Sequence, residues 1–269
     1  WIPLKNHIPC EAAFGKSNVE SSRLNIVYDF FAKHINEILR PANSMSGYIK
    51  KHLDKDKDNS LKTFLVDFLK TSDFNISDLD LKEDEEIITP EMEKMISASP
   101  IPEEAKQQMI QKGKITKYDL MFKHKTDNGE FELPEELESR GTIRLMGMAI
   151  ILRKLLQQNS IVIIDEVETS LHYELLSYFI KVFLANSDKY SQLIMTTHDI
   201  NLLNEDFIRR DSVWFTDKDS CGETRLTRLS SLGLHKNLSP YNAYKQGKLV
   251  KLPFFGSIYM KNNNLCDQK

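Results

Sequence analysis

The chain is 269 residues long, enough for one domain with a sizeable core or one domain plus an insertion. Its hydrophobic fraction of 41%, charged fraction of 28% and formal net charge of -3 are those of an ordinary globular protein with no global basic footprint, so nucleic-acid binding is left open. Cys10, Cys221 and Cys266 stand too far apart for a zinc spacing or a disulfide framework and fit a reducing, cytoplasmic setting. No apolar run reaches the length of a membrane span, and no signal peptide is visible. The chain opens on Trp1 without an initiator methionine and reads as a piece of a longer protein or its ordered part.

In chain order, the first feature is AAFGKSN, residues 12–18. Gly15-Lys16-Ser17 has the closing pattern of a phosphate-binding P-loop, but the glycine expected five positions earlier is Cys10. The preceding WIPLKNHIP, with two prolines, suits a loop or an edge rather than a buried strand. The pattern is therefore read as a coincidence. LNIVYDFFAKHINEIL, residues 24–39, spaces Ile26, Val27, Phe30, Phe31, Ile35, Ile38 and Leu39 at helical steps, and Ser21 or Ser22 can cap it. KKHLDKDKDNS, residues 50–60, reads as a solvated loop. NSLKTFLVDFL then repeats the helical pattern with Leu61, Phe64, Leu65, Phe68 and Leu69. LKEDEE, residues 81–86, reads as a second charged loop or arm. At TPEMEKMI, Thr89 caps, Pro90 suits the first helical position, and Glu91 and Glu93 complement the dipole. PEEAKQQMIQKG is a further helix that ends at Gly113.

The pattern changes near Ile115. KYDLMFKHKTDNGEFEL gives two strands joined by an Asp127-Asn128-Gly129 turn. TIRLMGMAIILRKLLQQ is strongly helical, and IVIID, LLSYFIKVFLA and QLIMTTH follow as strand, helix and strand. SVWFTDK and TRLTRLS are later strand candidates. Strands alternating with helices predict an α/β class with a mostly parallel sheet.

Three places carry chemistry. Ile161 to Ile164 are apolar and run into Asp165-Glu166, so a buried strand delivers two carboxylates at its C-terminal end, where open α/β sheets place ligands. In a nucleoside triphosphatase the first acid holds Mg²⁺, usually through water, and the second polarises the attacking water. LIMTTHD repeats the design and ends at His198, whose ring can read a γ-phosphate. In LESRGTIRL, Ser139 and Gly141 precede a helix expected to start near Thr142 or Ile143, where a hydroxyl and free amides suit an anion. Each is an ordinary feature by itself: an acidic turn, a strand-end histidine, a capped helix. Their order and spacing are what join them.

That order resembles the C-terminal half of an ABC-type ATPase domain. Ser139-Arg140-Gly141-Thr142 stands where the signature motif would be, Asp165-Glu166 where Walker B would be, Thr169 to His172 (TSLH) at the D-loop and His198 at the switch histidine. ESRGTIRL, IVIIDEVETSLH, QLIMTTHDINLL and RRDSVWFTDKD are similar to AAA/ABC-like ATP-binding proteins linked to abortive infection and anti-phage restriction, of the SMC and RecF type. The resemblance runs from Tyr118 to Phe255 and more weakly through NIVYDFFAKHI, which resembles a helical insert; Arg140 is a departure within the signature.

The resemblance implies a P-loop NTPase lobe with a largely helical N-terminal insertion, divided as 1–114 insert or arm, 115–256 ATPase lobe and 257–269 tail. It implies ATP and Mg²⁺ as cofactors, clamped between two protomers in a head-to-tail homodimer or higher oligomer. Asp165 would assist Mg²⁺, Glu166 would be the general base, His198 would read the γ-phosphate, and Ser139, Gly141 and Thr142 would touch the partner's ATP. It further implies a Walker A lobe outside this chain and a separate effector protein. Two other readings stay open: a DNA-repair ATPase of RecF type, and a non-hydrolysing dimerisation module.

Overall fold

A computed structural model describes residues 25–30, 35–40, 45–72, 74–99, 102–187, 190–219, 221–235 and 238–250. Gly15-Lys16-Ser17 lies outside them. The chain divides into two compact units, Trp1–His198 and Asp199–Lys269.

The first unit is organised by α5 (Arg140–Gln157), which buries Leu145 through Leu152 without interruption. A helix apolar all round belongs in an interior, and here α1 (Met45–Asp54), α2 (Ser60–Thr71) and α6 (Tyr173–Asn186) pack on it. Ile49, Leu65, Leu69 and Phe179 are fully buried around it. Asp56 caps α2 by accepting the N–H groups of Leu61 at 3.0 Å and Lys62 at 2.8 Å. Beside the helices lies a parallel sheet in the order β1 (Ile35–Leu39), β5 (Ile161–Ile164), β6 (Gln192–Met195). The crossover from β5 to β6 runs through α6, as parallel neighbours require. All four residues of β5 are wholly or partly buried, which explains its unbroken apolar sequence.

A second sheet is antiparallel: β2 (Ile76–Ile87), β3 (Lys114–Thr126) and β4 (Gly129–Pro134). Its inner end packs Ile76, Leu79, Leu120 and Phe122, all essentially inaccessible, while the far half of β2 is solvated. Between β2 and β3 come α3 (Pro90–Ala98), capped by the Thr89 side chain on the Met92 N–H, and α4 (Glu103–Lys112), closed by Gly113 at φ 65°. Both caps are the expected ones. After β4, Ser46 and Lys50 of α1 hold Glu135, and His124 holds Glu138. These bonds anchor the segment that leads into α5.

In the second unit, β7 (Trp214–Lys218) and β8 (Thr224–Arg228) form a two-stranded antiparallel sheet. Leu229, Ala243 and Leu249 are its buried core, closed by the short α7 (Pro240–Lys245). The Arg210 guanidinium donates to the carbonyls of Leu234, His235 and Leu238 and so ties the chain before α7.

Four expectations are corrected. The helix predicted through residue 39 stops short: residues 25–30 are helical, but Ile35–Leu39 is β1, because its backbone completes the ladder of β5. LKEDEE is not a loop but the exposed half of β2, paired residue for residue with β3. Residues 50–54 of the expected loop are the last turn and a half of α1. Among the described residues, parallel pairing is confined to β1, β5 and β6; β7 and β8 form their own antiparallel pair. The N-terminal region is thus helical and stranded together, within an α/β fold.

Candidate functional site

The acidic pair is built by the two strands that end beside it. The Asp165 N–H donates to Leu39 C=O at 2.8 Å, so the β1–β5 ladder continues one residue past β5. On the other side Thr196 N–H donates to Ile164 C=O at 2.9 Å, and Val167 N–H donates to Thr196 C=O at 3.0 Å. Thr196 is therefore pinned by its backbone, and its hydroxyl is used twice. It donates to Asp165 Oδ1 at 2.5 Å and accepts the Glu166 N–H at 2.9 Å.

Glu166 has φ 46°, in the left-handed region that a side chain with a Cβ enters at a cost of about 1 kcal/mol. Such backbone is sustained by surrounding bonds and gathers at functional sites. Here the bonds are the Thr196 hydroxyl on the Glu166 amide and the Glu166 carbonyl, which accepts the Thr169 N–H at 3.0 Å. A second tight turn follows at Ser170, φ 61°. His172 then caps α6, its Nδ1 accepting the Glu174 N–H at 3.4 Å.

His198 is tied to the same loop through its backbone: its N–H donates to Glu168 Oε1 at 2.8 Å. Burial pushes the Glu168 carboxyl up, but the His198 amide and the Thr197 side chain outweigh it and hold the group below its ordinary value. It is therefore a carboxylate at neutral pH.

The expected signature lies across that loop. Ser139 is the N-cap of α5, and its Oγ accepts the Thr142 N–H at 3.0 Å and lies 2.8 Å from Thr142 Oγ1. The helix begins at Arg140, earlier than expected, and Thr142 is buried. Gly141 sits where a Cβ would come within 3.3 Å of the Ser170 carbonyl oxygen, so a bare backbone is what lets α5 abut the turn.

The structure thus sets Asp165 and Glu166 at the C-terminal end of β5, ties His198 after β6 through its backbone to Glu168 of the turn that follows them, and packs Gly141 of α5 on that turn. Sequence reasoning passed over Thr196, Glu168 and Arg144. Thr196 lay in view within the TTH stretch. Arg144 is the lone cation in the apolar run of α5, and it is 5% exposed.

Mg²⁺ fits these residues. Asp165 and Glu166 have no cationic side chain paired to them among the described residues, so their charge is available to a cation. No group of three or more His, Cys, Asp or Glu among the described residues makes a complete cage. A cation held by one or two carboxylates, with phosphate and water filling the rest, is the usual Mg²⁺ arrangement. No helix among the described residues is long and apolar enough to cross a membrane.

Residues 2–204 match a family model described as "AAA domain, putative AbiEii toxin, Type IV TA system". The matched span holds α5, the acidic pair and His198. No curated protein matches the chain.

Proposed function

The chain belongs to this family of AAA domains, and from that premise we propose that it is an ATP-binding and ATP-hydrolysing module of a toxin–antitoxin or abortive-infection system. The observation that carries the reading is the Thr196 hydroxyl bridging Asp165 and Glu166 at the C-terminal strand edge, with His198 tethered to the following turn. That edge is where an open α/β sheet takes its ligand.

In this reading Asp165 would help to hold Mg²⁺, usually through water, and Glu166 is the general base that accepts a proton from the attacking water at its carboxylate. Bound Mg²⁺ would supply neutralisation of phosphate charge. His198 offers its ring to the γ-phosphate. Ser139, Gly141 and Thr142 serve the ATP of a second copy, so the working form is a head-to-tail homodimer or larger assembly. In this reading the ATPase lobe spans residues 115–256 and takes in β1 from the N-terminal region, the remainder of 1–114 forms the insert or arm, and 257–269 are a tail. The Walker A lysine would then be supplied from outside this chain. A toxin–antitoxin setting supports a separate partner protein, and the few, widely spaced cysteines support a cytoplasmic location.

A second reading, a non-hydrolysing dimerisation module, is favoured by the incomplete phosphate-binding pattern: Cys10 stands where Gly15-Lys16-Ser17 needs its first glycine. Glu166→Gln separates the two. With the Walker A lobe supplied and with ATP and Mg²⁺, the variant is expected to accumulate as a dimer in size-exclusion chromatography with light scattering, while turnover falls at least about a hundredfold. A variant that stays monomeric while the wild type dimerises removes Glu166 from the role of base. ATP-dependent dimerisation without turnover in the wild type supports the second reading instead.

A further inference from the structure

Arg144 lies three residues after Gly141, on the same face of α5. Gly141 packs on Ser170, so this face meets the turn that contains Glu168, two residues before Ser170. Arg144 is 5% exposed, and its Nε and one terminal nitrogen have no hydrogen-bond partner among the described residues. Glu168 Oε2 is likewise buried and without a partner, while Oε1 holds the His198 amide. Two opposite charges on facing elements therefore each carry unsatisfied buried atoms. A buried charge without compensation is strongly unfavourable, so each is the natural counter-charge of the other.

We infer that Glu168 is the positioning residue for His198 and that Arg144 holds Glu168 in place, linking the N-terminal turn of α5 to the histidine. The inference rests on the reading of His198 as the residue that faces the nucleotide. Neither Arg144 nor Glu168 touches substrate in this scheme; both act through the histidine's backbone.

The test uses the full chain with Glu168→Ala, Glu168→Gln, Arg144→Met, Arg144→Lys and the double variant Arg144→Met/Glu168→Gln. Hydrogen exchange of the His198 amide is expected to accelerate about ten- to a hundredfold in Glu168→Ala and Arg144→Met. Arg144→Lys, which retains the charge, is expected to restore protection. The double variant is expected to melt closer to wild type than Arg144→Met does, because no charge is left uncompensated. In ATPase assays the single variants are expected to lower kcat while leaving KM near its wild-type value. Unchanged His198 exchange in Glu168→Ala, or effects of Arg144→Met and Glu168→Gln that simply add, would overturn the inference. If the wild type hydrolyses no ATP, the functional reading fails, and the exchange measurements still decide whether the pair positions His198.

Discussion

Thr196 is the residue on which the acidic pair depends most directly. One hydroxyl donates to the carboxylate of Asp165 and accepts the amide of Glu166, so it fixes both neighbours. Replacing it with valine keeps the β-branched shape and strand preference but leaves the Glu166 amide without its acceptor. Thr196→Val is expected to reduce turnover about tenfold, from a lost hydrogen bond of about 1–2 kcal/mol, with far-UV circular dichroism unchanged. Undiminished turnover would show that the bridge is incidental. Asp165, Glu166 and His198 were legible because acids and histidine stand out at the ends of apolar strands. Thr196 was not, since its two partners lie about thirty positions away and only the β5–β6 register brings them together. Arg144 and Glu168 were hidden for the same reason: each is unremarkable until the turn is laid against α5.

Among the elements, the ones read correctly carry their own signals. Thr89 before Pro90, Gly113 after α4, Ser139 before α5 and the turn at Asp127-Asn128 all place bonds within a few residues of themselves. The ones misread take their structure from distant chain. Ile35, Ile38 and Leu39 fit helical spacing, yet they align with Ile161, Ile163 and Ile164 in a ladder no local pattern announces. In β2, Lys82 to Glu86 lack any apolar alternation, because that half of the strand is solvated on both faces and is held by β3. The packing of α1 on α5 gives a direct test at this scale. A Cβ at Gly147 would fall 2.6 Å from Met45 Sδ and 3.1 Å from Met45 Cβ. Gly147→Leu is therefore expected to cost about 1–3 kcal/mol in urea unfolding by forcing the helices apart. Gly147→Ala is expected to be nearly neutral, since the thioether can swing aside and alanine gains about 1 kcal/mol of helix propensity. A Leu variant as stable as wild type would mean that α1 and α5 are not closely packed.

For the whole molecule, the functional reading makes a claim that needs no turnover to test. A ligand that binds only the native state stabilises it by mass action, by about 2.7 kcal/mol at a hundredfold excess over its Kd. With the Walker A lobe supplied, ATP with Mg²⁺ is thus expected to raise the melting temperature, and EDTA is expected to remove most of the rise. Asp165→Asn sharpens the test. An amide oxygen can still accept the Thr196 hydroxyl, so the strand edge keeps its bond while the charge that attracts Mg²⁺ is lost. The variant is therefore expected to match the wild type without nucleotide and to show little of the Mg²⁺-dependent shift with it. If Asp165→Asn keeps the full shift, the metal is held elsewhere, because the variant has lost the charge that attracts it. If neither protein responds to ATP and Mg²⁺ with the Walker A lobe supplied, the acidic pair is structural.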